Sequence, residues 1–209
     1  MRQTKMRKIK DKDFSSPKSV SERNENCLLE QLYRDNYALM LNYGLKINHD
    51  IELVEDCIQD IFVKLSVKIP LQTIKNPRVY LLKSLRHAMY NKLHSLSERA
   101  KDTTLIDNFF YIVDSDDLFD TMFPDTDQRL FLRNRLKEAL VQLSTRQKHA
   151  IYLRYVKNLS HKEVAEILEI NVQSSLNLTG RSLVKIRKFL KDDNLLLFVL
   201  LFHLLYKLK

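Results

Sequence analysis

Residues 160–190 read SHKEVAEILEINVQSSLNLTGRSLVKIRKFL, two short amphipathic stretches with a tight turn between them and cations at the far end. Ser160 and Glu163 have the spacing of a capping box, in which each residue satisfies a free backbone N–H of the other, so a helix is expected to open there. Val164, Ala165, Ile167 and Leu168 give that helix one apolar face. Glu169, Ile170 and Asn171 form the turn, and Asn171 or Ser174 can cap the helix that follows. Ile170, Val172, Leu176, Leu183 and Ile186 are the positions expected to anchor it. The chemistry on offer is polyanion recognition, because a helix-turn-helix presents its second helix to the major groove of duplex DNA. The same spacing also suits an ordinary helical hairpin, and the stretch alone leaves both readings open.

A second row of chemistry lies upstream. Residues 70–96 carry five cations and no acid. Arg78, Lys83, Arg86 and Lys92 can attract phosphates, while Tyr80, His87, Tyr90 and Asn91 can stack on or hydrogen-bond to unpaired bases. Its plain alternative is an amphipathic helix with a basic outer face. Before it, Glu52, Asp56 and Asp60 recur every four residues, with Glu55 and Gln59 beside them. Such a face is either solvated or matched to a basic protein surface; a divalent metal, with His49 nearby, is the weaker reading. No catalytic residue, metal site or cofactor is expected. The histidines lack ligand spacing, the serines lack a nucleophile elbow, and Gly44 and Gly180 cannot build a phosphate loop.

The elements that must position these groups are helical. Two glycines and four prolines in 209 residues leave little material for hairpins, so an all-α fold is expected. Helical periodicity runs from about Cys27 to Ile47 and from about Asp50 to Val67; the second carries Ile51, Val54, Ile58, Ile61, Phe62 and Leu65. Asn76 and Pro77 open a third helix with a core face of Leu82, Leu85, Met89, Leu93 and Leu96. A further helix runs from near Asp127 to Leu143. Ser144 and Gln147 repeat the capping-box spacing and start another, through about Val156.

Charge divides the chain in the same places. The net charge is +9; residues 97–127 hold nine acids against two bases, and residues 128–191 hold fourteen bases against four acids. Two small helical domains joined by an acidic linker follow from this: 27–96 with three helices and 128–191 with four. Residues 1–26 are expected to be a disordered basic arm. Residues 192–209 form an apolar C-terminal helix too short to span a bilayer, which needs ~20 residues; it requires cover by its own domain, a partner or a membrane surface. Cys27 and Cys57 lack CxxC spacing and read as reduced thiols of a cytoplasmic protein without a signal peptide.

This order of parts resembles the extracytoplasmic-function (ECF) sigma factors, the small sigma-70 class with only regions 2 and 4. Residues 54–65, VEDCIQDIFVKL, are similar to that family's AEDxxQExFxxL stretch; residues 76–94 are similar to its strand-opening helix, and residues 136–190 to region 4. The resemblance implies a promoter-recognition factor, not an enzyme, with RNA polymerase core and promoter DNA as partners and an anti-sigma factor as inhibitor. Core binding would fall to Glu55, Asp56, Gln59, Asp60 and Phe62. The melted −10 strand would meet Arg78, Tyr80, Lys83, Arg86, His87, Tyr90 and Asn91. The −35 duplex would meet Ser160, His161, Lys162, Gln173, Ser174, Ser175, Asn177, Arg181 and Lys185. Leu176 and Leu178 stand where the family often has cations, and Glu169 where it often has Gly. An autonomous helix-turn-helix regulator, with residues 27–96 as a sensor or dimerisation domain, is the alternative reading. A membrane-peripheral helical protein, held by its tail, is a third.

Overall fold

The computed structural model describes residues 20–68, 73–100, 134–135 and 137–190, with side chains for 27–67, 73–96, 134–135 and 137–190. The linker residues 101–127 and the apolar tail 192–209 lie outside the described residues. Helix α1 spans Val20–Ile47, α2 Ile51–Lys68 and α3 Pro77–Ala100. α1 begins seven residues earlier than apolar periodicity indicates. Residues 20–26, expected within the disordered arm, are helical because Glu22, Arg23 and Glu25 are adequate helix formers that extend the helix without an apolar stripe.

The three helices pack pairwise. Met40, Tyr43 and Ile47 of α1 meet Val54, Ile58, Ile61 and Leu65 of α2 and Leu82, Leu85, Met89 and Leu93 of α3, all buried. Gly44 lies at the crossing of α1 and α2, where a Cβ would stand 2.4 Å from Val54 Cγ1. Gly44→Ala should therefore force the helices apart and cost about 1–3 kcal/mol, measurable by chemical denaturation. Between these helices, Asp50 Oδ1 accepts from Leu53 N at 3.2 Å and caps α2. Asn76 Oδ1 accepts from Val79 N at 3.3 Å, and the chain enters α3 through Pro77 as expected.

In the second unit residues 137–141 are helical. The Ser144–Gln147 capping box opens α4, Thr145–Ile151, which widens into a π turn over Tyr152–Val156. Leu159 N donates to Leu153 O at 3.1 Å and bends the chain back. The Ser160–Glu163 capping box then opens α5, His161–Leu168, whose buried face is Val164, Ala165, Ile167 and Leu168. Glu169 closes it in the left-handed region (φ 56°, ψ 49°), and Asn171 Oδ1 caps α6, Val172–Phe189, by accepting from Ser174 N at 2.6 Å.

The two units touch. α3 lies along α5, and the buried apolar residues of both units form one continuous cluster. Charge alternation along the chain suggested lobes held apart by a strap; the structure instead folds one onto the other.

Candidate nucleic-acid and polymerase interfaces

α3 sets its chemistry by periodicity. Val79, Leu82, Leu85 and Met89 turn inward, which leaves Lys83, Arg86, His87 and Tyr90 as a lateral row facing α5. One carboxylate serves that row: Glu169 lies 3.4 Å from Lys83 Nζ, 3.9 Å from Arg86 Nη1 and 2.9 Å from His87 Nε2. Desolvation pushes Glu169 upward, but the His87 ring and the Lys83 charge together outweigh it and hold the carboxyl below its ordinary range. At the start of α3, Arg78 Nη2 donates to the Lys157 carbonyl at 2.7 Å, and Asn76 Nδ2 donates to Glu163 Oε1 at 3.0 Å. Asn91 is exposed and Tyr80 half-buried. Five of the seven −10 candidates are thus gathered along the contact between the units, Arg78 and His87 at its exposed edge. Nothing in the local sequence marked Glu169 or Glu163 as their partners; the one signal was a Glu at a turn that favours Gly.

Beneath this polar seam is an aromatic knot. Tyr43 of α1 stacks on Tyr152 of the π turn (6.1 Å, 16°), and Tyr90 of α3 meets His149 of α4 edge-on (6.3 Å, 85°). Tyr43 is 6.3 Å from His149, and the Arg86 guanidinium sits 4.9 Å over Tyr90. Burial, with the Arg86 charge adding to it, pushes His149 down to about 3, so the imidazole is neutral. Burial likewise raises the Tyr43, Tyr90 and Tyr152 hydroxyls.

The acidic face of α2 is solvent-exposed at Glu52, Asp56, Gln59 and Asp60. Asp56 Oδ2 accepts from Lys92 Nζ at 3.0 Å, a bond that raises the lysine. Glu55 is half-buried and accepts from Tyr37 Oη at 2.5 Å, and this hydrogen bond is the main reason Tyr37 is pushed up to about 12. Phe62 does not belong to this face. It is 8% exposed and stands edge-on to Tyr33 at 5.0 Å, because its turn of the helix faces α1. Val63 and Val67 are the exposed residues that continue the acidic face with apolar surface.

In the helix-turn-helix the anchoring seam differs from the apolar reading. Ser175, Thr179, Ser182 and Ile186 are the buried positions of α6, whereas Val172 and Leu176 are exposed. Thr179 Oγ1 donates to Ser175 O at 2.9 Å and Ser182 Oγ to Leu178 O at 2.6 Å. Hydroxyls satisfied within their own helix can be buried, and their small size lets α5 and α6 approach closely. Apolar periodicity misses such a seam. Ser175 accordingly leaves the DNA-facing set: it is 0% exposed, with Oγ 3.3 Å from His161 Nδ1. Gln173, Ser174, Asn177, Arg181 and Lys185 share the outer face of α6, and Lys162 is exposed on α5. Ser160 is engaged in its own cap, and Lys185 Nζ reaches Gln147 Oε1 at 3.3 Å. Among the described residues, no group of side chains could hold a metal ion, and no helix is long and apolar enough to cross a membrane.

Comparison with known proteins shows what the two helical units are similar to. Residues 32–99 match the sigma-70 region 2 family and residues 133–186 match sigma-70, region 4. The RNA polymerase sigma factor YlaC of Bacillus subtilis (strain 168) is 26% identical over 163 residues, 77% of this chain and 90% of that protein. The fold is similar to a solved complex of the sigma factor RpoE with the anti-sigma factor NepR from Bartonella quintana (TM-score 0.50, 18% identity, 83% of this chain and 98% of that one). The chain belongs to the sigma-70 family of RNA polymerase sigma factors. It directs the polymerase core to promoters and assists their melting in transcription initiation. The autonomous regulator is the less favoured reading.

Proposed function

We propose that the chain is a core-dependent promoter reader whose two DNA-binding units are folded together until the polymerase separates them. The acidic face of α2, Glu55, Asp56, Gln59 and Asp60 with Val63 and Val67, docks on a basic and apolar surface of the core. α3 captures the melted −10 strand through Arg78, Tyr80, Lys83, Arg86, His87, Tyr90 and Asn91. α6, with Lys162 of α5, reads the −35 duplex through Gln173, Ser174, Asn177, Arg181 and Lys185. The observation that carries this reading is the Glu169 carboxylate lying among Lys83, Arg86 and His87. The cationic row of α3 needs anions, and while region 4 supplies one, the melted strand is excluded.

The protein acts in the cytoplasm without enzymatic activity of its own. The RpoE–NepR complex suggests a comparable inhibitor, an anti-sigma protein that holds this chain closed; purification from uninduced cells should recover it. Asp56→Arg/Asp60→Arg removes the anionic docking surface and breaks the Lys92 pair. The variant should lose retention on core polymerase and promoter-specific transcription while keeping its helical circular dichroism. Undiminished transcription from the variant, or tight duplex binding by the lone wild-type protein, would overturn core dependence and favour the autonomous regulator.

A further inference from the structure

The outer face of α6 carries more than cations. Leu176 is 42% exposed and Val184 is 65% exposed, and between them Gly180 is bare: beyond its own turn of helix backbone and its chain neighbours, no atom lies within 4 Å of where its Cβ would stand. These residues, one helical turn apart, make an apolar strip of roughly 12 Å. Asn177, Arg181 and Lys185 run alongside, and together they line an open groove of about 530 Å³ that reaches Gln147.

We propose that this strip reads sequence by apolar contact, with Leu176 set against the C5-methyl of a thymine in the −35 duplex. The inference rests on the assignment of α6 to that duplex and deepens it. An aliphatic strip bordered by cations fits a partner that is anionic at its edges and apolar at a point within. The thymine methyl is the apolar feature of the major groove, and a leucine can read nothing else there. Residues near the start of a recognition helix meet base edges, which places Leu176 deeper than Val184. Gly180, lacking a side chain, lets the helix backbone come close to the bases. Beside Leu176, Gln173 Nε2 donates to Asn177 Oδ1 at 3.2 Å, so two amides are ordered before DNA arrives. Amides of this kind pair with adenine N6 and N7. A thymine under Leu176 with a neighbouring adenine under Asn177 is the recognised step.

The test uses holoenzyme and −35 duplex probes in which each thymine is replaced in turn by deoxyuridine, which lacks only the methyl. Wild-type holoenzyme should lose about fourfold in affinity at one position, the value of one buried methyl-sized group. Leu176→Ala holoenzyme should bind more weakly overall and show no further loss at that position. Its melting temperature should match the wild type, since the side chain is exposed. Arg181→Ala separates the two levels of the argument. If it weakens binding while no deoxyuridine substitution does, or Leu176→Ala keeps the wild-type deoxyuridine loss, methyl reading is overturned and the −35 assignment stands. If Arg181→Ala and Leu176→Ala both bind like the wild type, the assignment of α6 itself has failed, and the methyl contact with it.

Discussion

Glu169→Gly should raise the affinity of the lone protein for a single-stranded −10 oligonucleotide by on the order of tenfold. In the closed form Lys83, Arg86 and His87 converge on one carboxylate. Each contact is partly exposed and individually weak, but three on one group form a network whose loss is felt together. Glycine removes the anion and also suits the left-handed backbone that Glu169 occupies at φ 56°. The turn between α5 and α6 is therefore preserved or improved, and a gain in binding cannot be ascribed to unfolding of region 4. Fluorescence anisotropy with a labelled oligonucleotide measures the affinity, and energy transfer between dyes on α1 and α6 reports the separation of the units. The gain should shrink at higher salt, which weakens both the seam and the phosphate contacts. An unchanged affinity together with an unchanged distance would sink the idea that Glu169 shields α3.

Acidification from pH 7 to pH 5 should shift the closed form toward the open one by up to about 2 kcal/mol, roughly thirtyfold. The sign follows from His149. Its ordinary value of 6.5 is pushed down to about 3 in the closed form by burial and by the Arg86 charge. The closed form holds the neutral ring, whereas any form that releases His149 to water binds a proton below pH 6.5. The contribution of this residue is therefore complete above pH 6.5 and declines as pH falls toward 3. Tyr43 of α1 and Arg86 and Tyr90 of α3 face the ring. None of them supplies an anion to a protonated imidazole. His149→Phe isolates the effect by keeping an aromatic ring in the knot without a titrating nitrogen. The same energy-transfer distance, followed against pH, should change in the wild type and stay flat in the variant. A flat wild-type profile would mean that His149 remains buried after the units part.

Much of this molecule is written in short-range chemistry. Both capping boxes, the entry to α3 at Asn76 and Pro77, the inward face of α5 and, apart from the exposed Ile51 and Leu96 at the helix ends, those of α2 and α3 lie where residue type and spacing put them. They could be read because a cap or an amphipathic stripe is satisfied within a few residues of itself. The same holds for the sigma-70 regions, whose stretches are contiguous. Where the reading slipped, a neighbouring helix had decided. Phe62 belongs to the stripe of α2, but Tyr33 turns it from docking residue to core. Ser175, Thr179 and Ser182 look like solvent-facing residues until α5 is laid over them. Leu176, counted as an anchor, was left outside by that same rotation of α6.

By itself, then, the amino-acid order determined which segments become helices, where the capped ones begin, and which stretch is acidic, basic or apolar. Only the tertiary structure decided that the two units close on each other and that Glu169 meets α3. The bond from Asn76 to Glu163 joins residues 87 positions apart, and no local pattern foretells a contact whose partners are set by the packing of whole helices. Side-chain type states what a residue can bind; the surface presented by another element settles what it does bind.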